Sequence, residues 1–176
     1  MVEALPFKLQ RLALRQMRPE DLEAFLAYRS DPGVARFQGG SPMSRNEAED
    51  YLRVQALPAA FAPGTWRQIA IADLQSDLLV GDAGIRVSHD SSSAEFGLSI
   101  TPTAQGKGYG FECVRGLIGL IFSATPAKEI LAATDIRNAP CLAVLQGSGM
   151  RLTDTRQAEY KGELCTEHVF AVRKEG

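Results

Sequence analysis

Apolar residues recur at every second position in some stretches of this chain and at every third or fourth in others. The two periods predict its elements. Leu12 and Leu14 alternate with polar neighbours between Leu9 and Arg15, which predicts a first strand. Leu22, Phe25, Leu26 and Arg29 form the stripe of a helix that Arg18-Pro19-Glu20-Asp21 opens and Asp31-Pro32-Gly33 stops. Phe37-Gln38-Gly39-Gly40-Ser41-Pro42 reads as a loop. Ser44 followed by Glu47 is a capping-box pattern, and Ala48, Tyr51, Leu52 and Gln55 continue a second helix. Beyond a connector from Pro58 to Gly64, strands are predicted over Trp66–Asp73 and Leu78–Val87, joined by the turn Gln75-Ser76-Asp77.

A third strand starts near Glu95, after the turn His89–Ser93. Phe96, Leu98 and Ile100 supply its apolar face and Glu95, Gly97 and Ser99 its polar one. Pro102 ends it, because proline cannot donate to the ladder. Phe111, Val114, Leu117, Ile118, Ile121 and Phe122 then follow helical spacing. Glu129–Thr134 reads as a buried strand, Asn138-Ala139-Pro140 opens a short helix ended by Gly147 and Gly149, and Arg151–Thr155 and Leu164–Val172 close the chain as two strands about Lys161-Gly162-Glu163. The order is strand, two helices, three strands, helix, strand, helix, two strands. It predicts an α/β (α+β mixed) fold, a mixed sheet with helices on its faces.

The chemistry gathers between the third strand and its helix. Gln105-Gly106-Lys107-Gly108-Tyr109-Gly110 joins them, with glycine at every second position. The first turn of a helix leaves N–H groups without partners, and the aligned peptide dipoles make that end positive. Glycines let a phosphate approach the backbone, so the expected ligand is a phosphate-bearing anion, most simply a diphosphate. Gln105 adds a side-chain donor; Lys107 either adds another or points into solvent. The spacing is not that of the NTPase phosphate loop, which needs four residues between its glycines and then Lys-Ser/Thr. It also fails the dinucleotide fingerprint, since the last required glycine is Phe111.

Composition narrows the setting. At 176 residues and 45% hydrophobic content the chain reads as a single domain, 1–176, with a sizeable core. The net charge of -2 and the scattered Lys and Arg argue against nucleic acid. No apolar run approaches the roughly 20 residues that cross a bilayer, so no membrane partner is expected. Cys113, Cys141 and Cys165 are odd in number and far apart, which suits free thiols in the cytoplasm and gives no metal set.

The loop resembles the Q/R-x-x-G-x-G/A signature of the GNAT N-acetyltransferase superfamily, matched by Gln105, Gly108 and Gly110, and the element order is similar along nearly the whole chain. Three stretches resemble the Rim-type, ribosomal-protein branch: Leu14 to Leu22, Asn138-Ala139-Pro140-Cys141 through Gly149-Met150, and the Glu163–Phe170 hairpin. Gly39-Gly40 and Thr166 depart from that branch, at positions where substrate would sit. The resemblance implies a mostly antiparallel central sheet flanked by helices on both faces. It also implies acetyl-CoA as cosubstrate, with its diphosphate on residues Gln105, Gly106, Lys107, Gly108, Tyr109 and Gly110. Main-chain groups near Leu98 and Ile100 would pair with the pantetheine amides as an added strand does, and Asn138 would contact the same arm besides capping its helix.

Acetyl transfer needs a neutral amine, and an alkylammonium has a pKa near about 10, so a base or a water relay to one must take its proton. Glu95 is the candidate base, or else an ion-paired strand glutamate. Cys141 stands where the family commonly has serine and is the candidate proton donor to the departing thiolate, or else a small buried hydrophobe at a helix start; Tyr160 is a further candidate acid that no motif supports. The expected acceptor is a primary amine, on a protein N-terminus or a small molecule, and the protein a monomer or homodimer. The other class of reading is a non-catalytic CoA-binding module.

Overall fold

The computed structural model describes residues 4–37, 42–57 and 61–175. Its elements are β1 (Phe7–Lys8), β2 (Leu12–Gln16), α1 (Leu22–Arg29), α2 (Pro32–Ala35), α3 (Arg45–Gln55), β3 (Trp66–Asp73), β4 (Leu79–Val87), β5 (Ser93–Ile100), α4 (Tyr109–Ala124), β6 (Glu129–Asp135), α5 (Ala139–Gly147), β7 (Arg151–Tyr160) and β8 (Glu163–Arg173). One eight-stranded sheet runs β1-β2-β3-β4-β5-β6-β8-β7. Every neighbouring pair is antiparallel except β5 with β6.

Helices cover both faces because strand residues alternate between two cores. Leu12, Leu14, Ile69, Ile71, Ile85 and Phe96 pack with Val114, Leu117, Ile121 of α4 and Leu145 of α5. On the opposite face Met17 and Ala70 pack with Phe25, Tyr28, Val34, Ala48 and Leu52 from α1, α2 and α3. The Ser44–Glu47 capping box forms reciprocally: Ser44 N–H donates to Glu47 Oε2 at 2.8 Å, and Glu47 N–H to Ser44 Oγ at 3.4 Å.

Three elements differ from the reading of the sequence. Phe7–Lys8 adds a two-residue edge strand that is too short to show a period. Asp31-Pro32-Gly33 ends α1 as expected but at once opens α2, because Asp31 Oδ1 accepts from the N–H groups of Gly33 and Val34 at 2.9 and 3.1 Å. β7 runs on to Tyr160, well past Thr155. Its residues are nearly all exposed, so its length follows from pairing with β8 and not from any apolar face. Gly39-Gly40 lies outside the described residues.

The feature that positions the site is a parting of strands. β5 and β6 pair only over Ser93↔Glu129, Ala94↔Ile130 and Glu95↔Leu131. Beyond Glu95, β5 continues to Ile100 along β4, while β6 continues to Asp135 along β8. A wedge therefore opens in mid-sheet with Glu95 at its apex.

Candidate active site

The hydrogen-bond alternation of an antiparallel pair settles which main-chain groups face the wedge. Thr101 N–H donates to Val80 O at 2.8 Å, and Ser88 N–H to Ser93 O at 2.9 Å, so the odd-numbered residues of β5 face β4. Leu98 and Ile100 consequently aim their N–H and C=O groups, and Phe96 its C=O group, into the wedge beyond the last β5–β6 pair, Glu95↔Leu131. The Ile100 carbonyl is already taken, since Gln105 Nε2 donates to it at 3.0 Å. Gln105 thus folds back on the strand end, and its donor is spent within the loop.

That strand edge leads into the glycine loop. Gly106 and Gly108 have φ of 73° and 79°, the left-handed region that glycine enters without steric cost, and Gly108 is the N-cap of α4. A Cβ on Gly106 would meet nothing within 4 Å and one on Gly108 only Arg11 Nη2, at 3.4 Å, so the space above both is open. Glu112 N–H, satisfied by Gly108 O at 3.3 Å, is the first main-chain donor of this stretch with a main-chain partner; those of residues 106–111 have none among the described residues. The helix start thus offers a row of unpaired donors at its positive end, the arrangement that takes an anion. Gly110 serves packing instead: a Cβ there would lie 3.1 Å from Val144 of α5. Lys107 and Gly108 are exposed and Tyr109 half-buried.

Arg11, in the turn between β1 and β2, braces this loop. Its Nη1 donates to Lys107 O at 2.9 Å, its Nε to Glu112 Oε2 at 2.7 Å and its main-chain N–H to Glu112 Oε1 at 2.6 Å. The guanidinium lies 4.7 Å from the centre of the Tyr109 ring. Nothing local in the sequence marks Arg11, because its partners stand about a hundred residues away.

The wedge widens into a cleft of about 620 Å³. Glu95, Leu98, Asn138 and Cys141 all line it; Ile100 and the loop 105–110 do not. Gly84 and Gly97, cross-strand partners, form a floor without side chains between Trp66 and the wedge. A Cβ on Gly97 would meet nothing within 4 Å, and one on Gly84 would lie 3.3 Å from the Trp66 ring.

Glu95 is about a third exposed and ion-paired to Arg86, its cross-strand partner on β4, whose guanidinium lies 5.2 Å from the Trp66 ring centre. Asn138 caps α5, its Oδ1 accepting from Cys141 N–H at 3.3 Å. Burial pushes the Cys141 thiol above its ordinary pKa, against a smaller opposing effect of a hydrogen bond with Thr134. Tyr160 also lines the cleft; burial first, then its hydrogen bond to Glu167, pushes its hydroxyl well above the usual tyrosine range. Both groups therefore hold their protons at neutral pH.

Three buried carboxylates in or beneath the cleft escaped the sequence reading. Asp82, fully buried on β4, pairs with Arg29 and accepts from Gln68 Nε2 at 2.7 Å. Asp135, at the end of β6, takes Arg137 Nη2 at 2.6 Å. Glu167 on β8 accepts from Arg156 Nε at 3.0 Å and from Tyr160. Thr166, the neighbour of Glu167 that departs from the resembled pattern, is half-buried and takes a hydrogen bond from Gln157. Among the described residues no group of three or more His, Cys, Asp or Glu is placed to hold a metal ion, and no helix is long and apolar enough to cross a membrane.

Comparison with known proteins places this architecture. A family model described as the acetyltransferase (GNAT) domain matches residues 11–151. The chain is 26% identical over 171 residues, 94% of each protein, to a Bacillus licheniformis protein called uncharacterized N-acetyltransferase p20. A Vibrio cholerae structure provisionally named a ribosomal-protein-serine acetyltransferase superposes with a TM-score of 0.79 at 23% identity, covering 99% of this chain and all of that one. The spermidine N-acetyltransferase of Vibrio cholerae, solved with CoA and spermine, gives 0.78 at 18% identity over 93% and 95% of the two chains. At such identities the two structures speak for the fold alone.

Proposed function

The chain belongs to the acetyltransferase (GNAT) family, and we propose that its wedge carries acetyl transfer from acetyl-CoA to a primary amine within one domain, residues 1–176. The diphosphate lies against the free N–H groups of residues 106–111, and the pantetheine arm runs along the open edge of β5 beside Leu98, Ile100 and Asn138. Acetyl-CoA supplies the activated acyl group. The acceptor enters over the Gly84–Gly97 floor, and its nitrogen meets the thioester near Glu95.

Glu95 takes the proton of the acceptor ammonium through water. Arg86 holds the carboxylate in one orientation at the apex of the wedge. Burial makes Cys141 a weaker acid than an ordinary thiol, and so a poorer proton donor to the departing thiolate. Cys141 instead steadies that thiolate with an S–H hydrogen bond, and solvent completes the protonation.

One observation carries this reading. The strand edge left open where β5 and β6 part leads directly into a helix start with unpaired donors. Calorimetric titration with CoA and acetyl-CoA, followed by thiol release with a panel of amines, tests it. Binding of CoA with turnover of some amine is expected. Absence of CoA binding overturns the reading, and binding without turnover of any amine returns the chain to a non-catalytic CoA-binding module.

A further inference from the structure

Resting on the transferase reading above, we infer that the acceptor carries carboxylates of its own close to the reacting amine, and is not a polycation. The argument is one of charge already matched. The cleft is lined by five cationic side chains, Arg29, Arg36, Arg137, Arg156 and Lys161, against the four carboxylates Glu95, Asp135, Glu163 and Glu167. Each of those carboxylates meets a guanidinium: Arg86 for Glu95, Arg156 for Glu167, and Arg137 shared between Asp135 and Glu163. The deeper Asp82 is taken by Arg29.

A polyamine needs carboxylates for the ammonium groups that do not react. Here every one would first have to be taken from an arginine, and separating a largely buried pair leaves an uncompensated charge behind. Asp82, Asp135 and Glu167 have side chains at most 5% exposed, so water does little to relieve that separation.

With Arg86 and Asp82 included, six cations stand against five carboxylates, so one positive charge is left in excess, at the mouth of the cleft. Lys161, in the turn between β7 and β8, donates Nζ to the carbonyl of Ala35 at 3.0 Å, a neutral partner that leaves its charge uncompensated. Arg36, the next residue after Ala35, lies 5.0 Å from the Phe37 ring centre, and its charge helps to hold the Asp135 carboxyl down, which makes it the second cation of the Asp135–Glu163 cluster beside Arg137. A carboxylate arriving at this mouth gains charge-assisted hydrogen bonds and displaces no existing pair. The same cations disfavour an ammonium beside them, which lowers the pKa of the acceptor amine toward the neutral form that reacts.

The test uses the full-length protein with acetyl-CoA and two peptides that share a first residue with a free α-amine, one continuing with two aspartates and the other with two lysines, alongside spermidine. The expected result is a kcat/KM about tenfold or more higher for the acidic peptide at low salt, the gap closing as ionic strength rises. Arg36→Gln with Lys161→Gln keeps hydrogen-bonding groups while removing charge. That double variant is expected to raise KM for the acidic peptide alone, leaving KM for acetyl-CoA where it was. Equal or faster turnover of the lysine peptide or spermidine overturns the inference, as does an acidic preference that survives the double substitution. Turnover of none of the three, with CoA still bound, overturns this inference, and the transferase reading falls with it when the wider amine panel is not turned over either.

Discussion

Arg11 Nη1 donates to the carbonyl oxygen of Lys107 across 2.9 Å, tying the β1–β2 turn to the loop that precedes α4. The same guanidinium neutralises Glu112, an acid in the first turn of α4 that would otherwise stand beside an incoming diphosphate. Arg11→Ala is therefore expected to raise KM for acetyl-CoA about tenfold, the low end for a charge-assisted contact because Arg11 is nearly half exposed, with kcat little changed. Glu112→Gln in that background recovers part of the loss, because the uncompensated carboxylate does much of the harm. Steady-state kinetics on the single and double variants decides; equal losses in all three mark a merely structural pair.

Gly108 owes its identity to backbone conformation more than to crowding. At φ of 79° a β-branched side chain is strained by about 1–2 kcal/mol, and its bulk fills the open space above the loop. Gly108→Val is expected to stay folded by circular dichroism, to melt about 5 °C lower, and to lose CoA binding by calorimetry. Affinity within twofold of the parent protein would remove the loop from the site.

Glu95→Gln keeps the shape at the wedge apex and removes the proton acceptor. We expect kcat to fall about a hundredfold, within the range for general base catalysis, with KM for acetyl-CoA unchanged. The same protein assayed at higher pH, where more of the acceptor amine is already neutral, should regain part of its rate. A rate equal to that of the parent protein at neutral pH shows that the Arg86 pair is the whole role of Glu95.

The elements were legible in the sequence wherever one face of a strand or helix is apolar. Leu12 and Leu14, Ile69 and Ile71, and the stripe of α4 all pack where their periods place them. β7 beyond Thr155 was not legible, because an exposed edge strand has no face to betray it. In the candidate site the glycine loop could be read from one local motif. The cleft charges could not: Arg29 and Asp82 stand 53 residues apart, and Arg11 and Glu112 stand 101 apart. In β8 a family pattern marks Thr166, whereas the buried acid is its neighbour Glu167, which the pairing of the strand turns inward.

Cys141 offers a different kind of test, since serine is the better hydrogen-bond donor at nearly the same volume. Cys141→Ser is expected to match or exceed the parent kcat, and Cys141→Ala to lower it several-fold. Because burial holds the thiol above its ordinary pKa, the alkaline limb of the rate profile should be the same in the parent and the serine variant. A limb that moves with the substitution would show that the thiol titrates in the working range.

Asp135 links the cleft to stability through pH. A hydrogen bond from the Arg137 guanidinium, outweighing the opposing effect of burial, holds its carboxyl below the ordinary carboxylate range. A carboxyl depressed in the folded state stabilises the protein above its unfolded pKa of about 3.9, and that contribution fades as pH falls from there through the folded value. Asp135→Asn should consequently melt below the parent protein at pH 7, with the gap narrowing at about pH 3. A gap independent of pH would mean that packing, not charge, holds Asp135. The substitution also releases Arg137 from one of its two carboxylates, Glu163 being left as the exposed one. At neutral pH it should therefore sharpen the preference for the acidic peptide, so the same variant weakens the fold at neutral pH while making the mouth of the cleft more cationic.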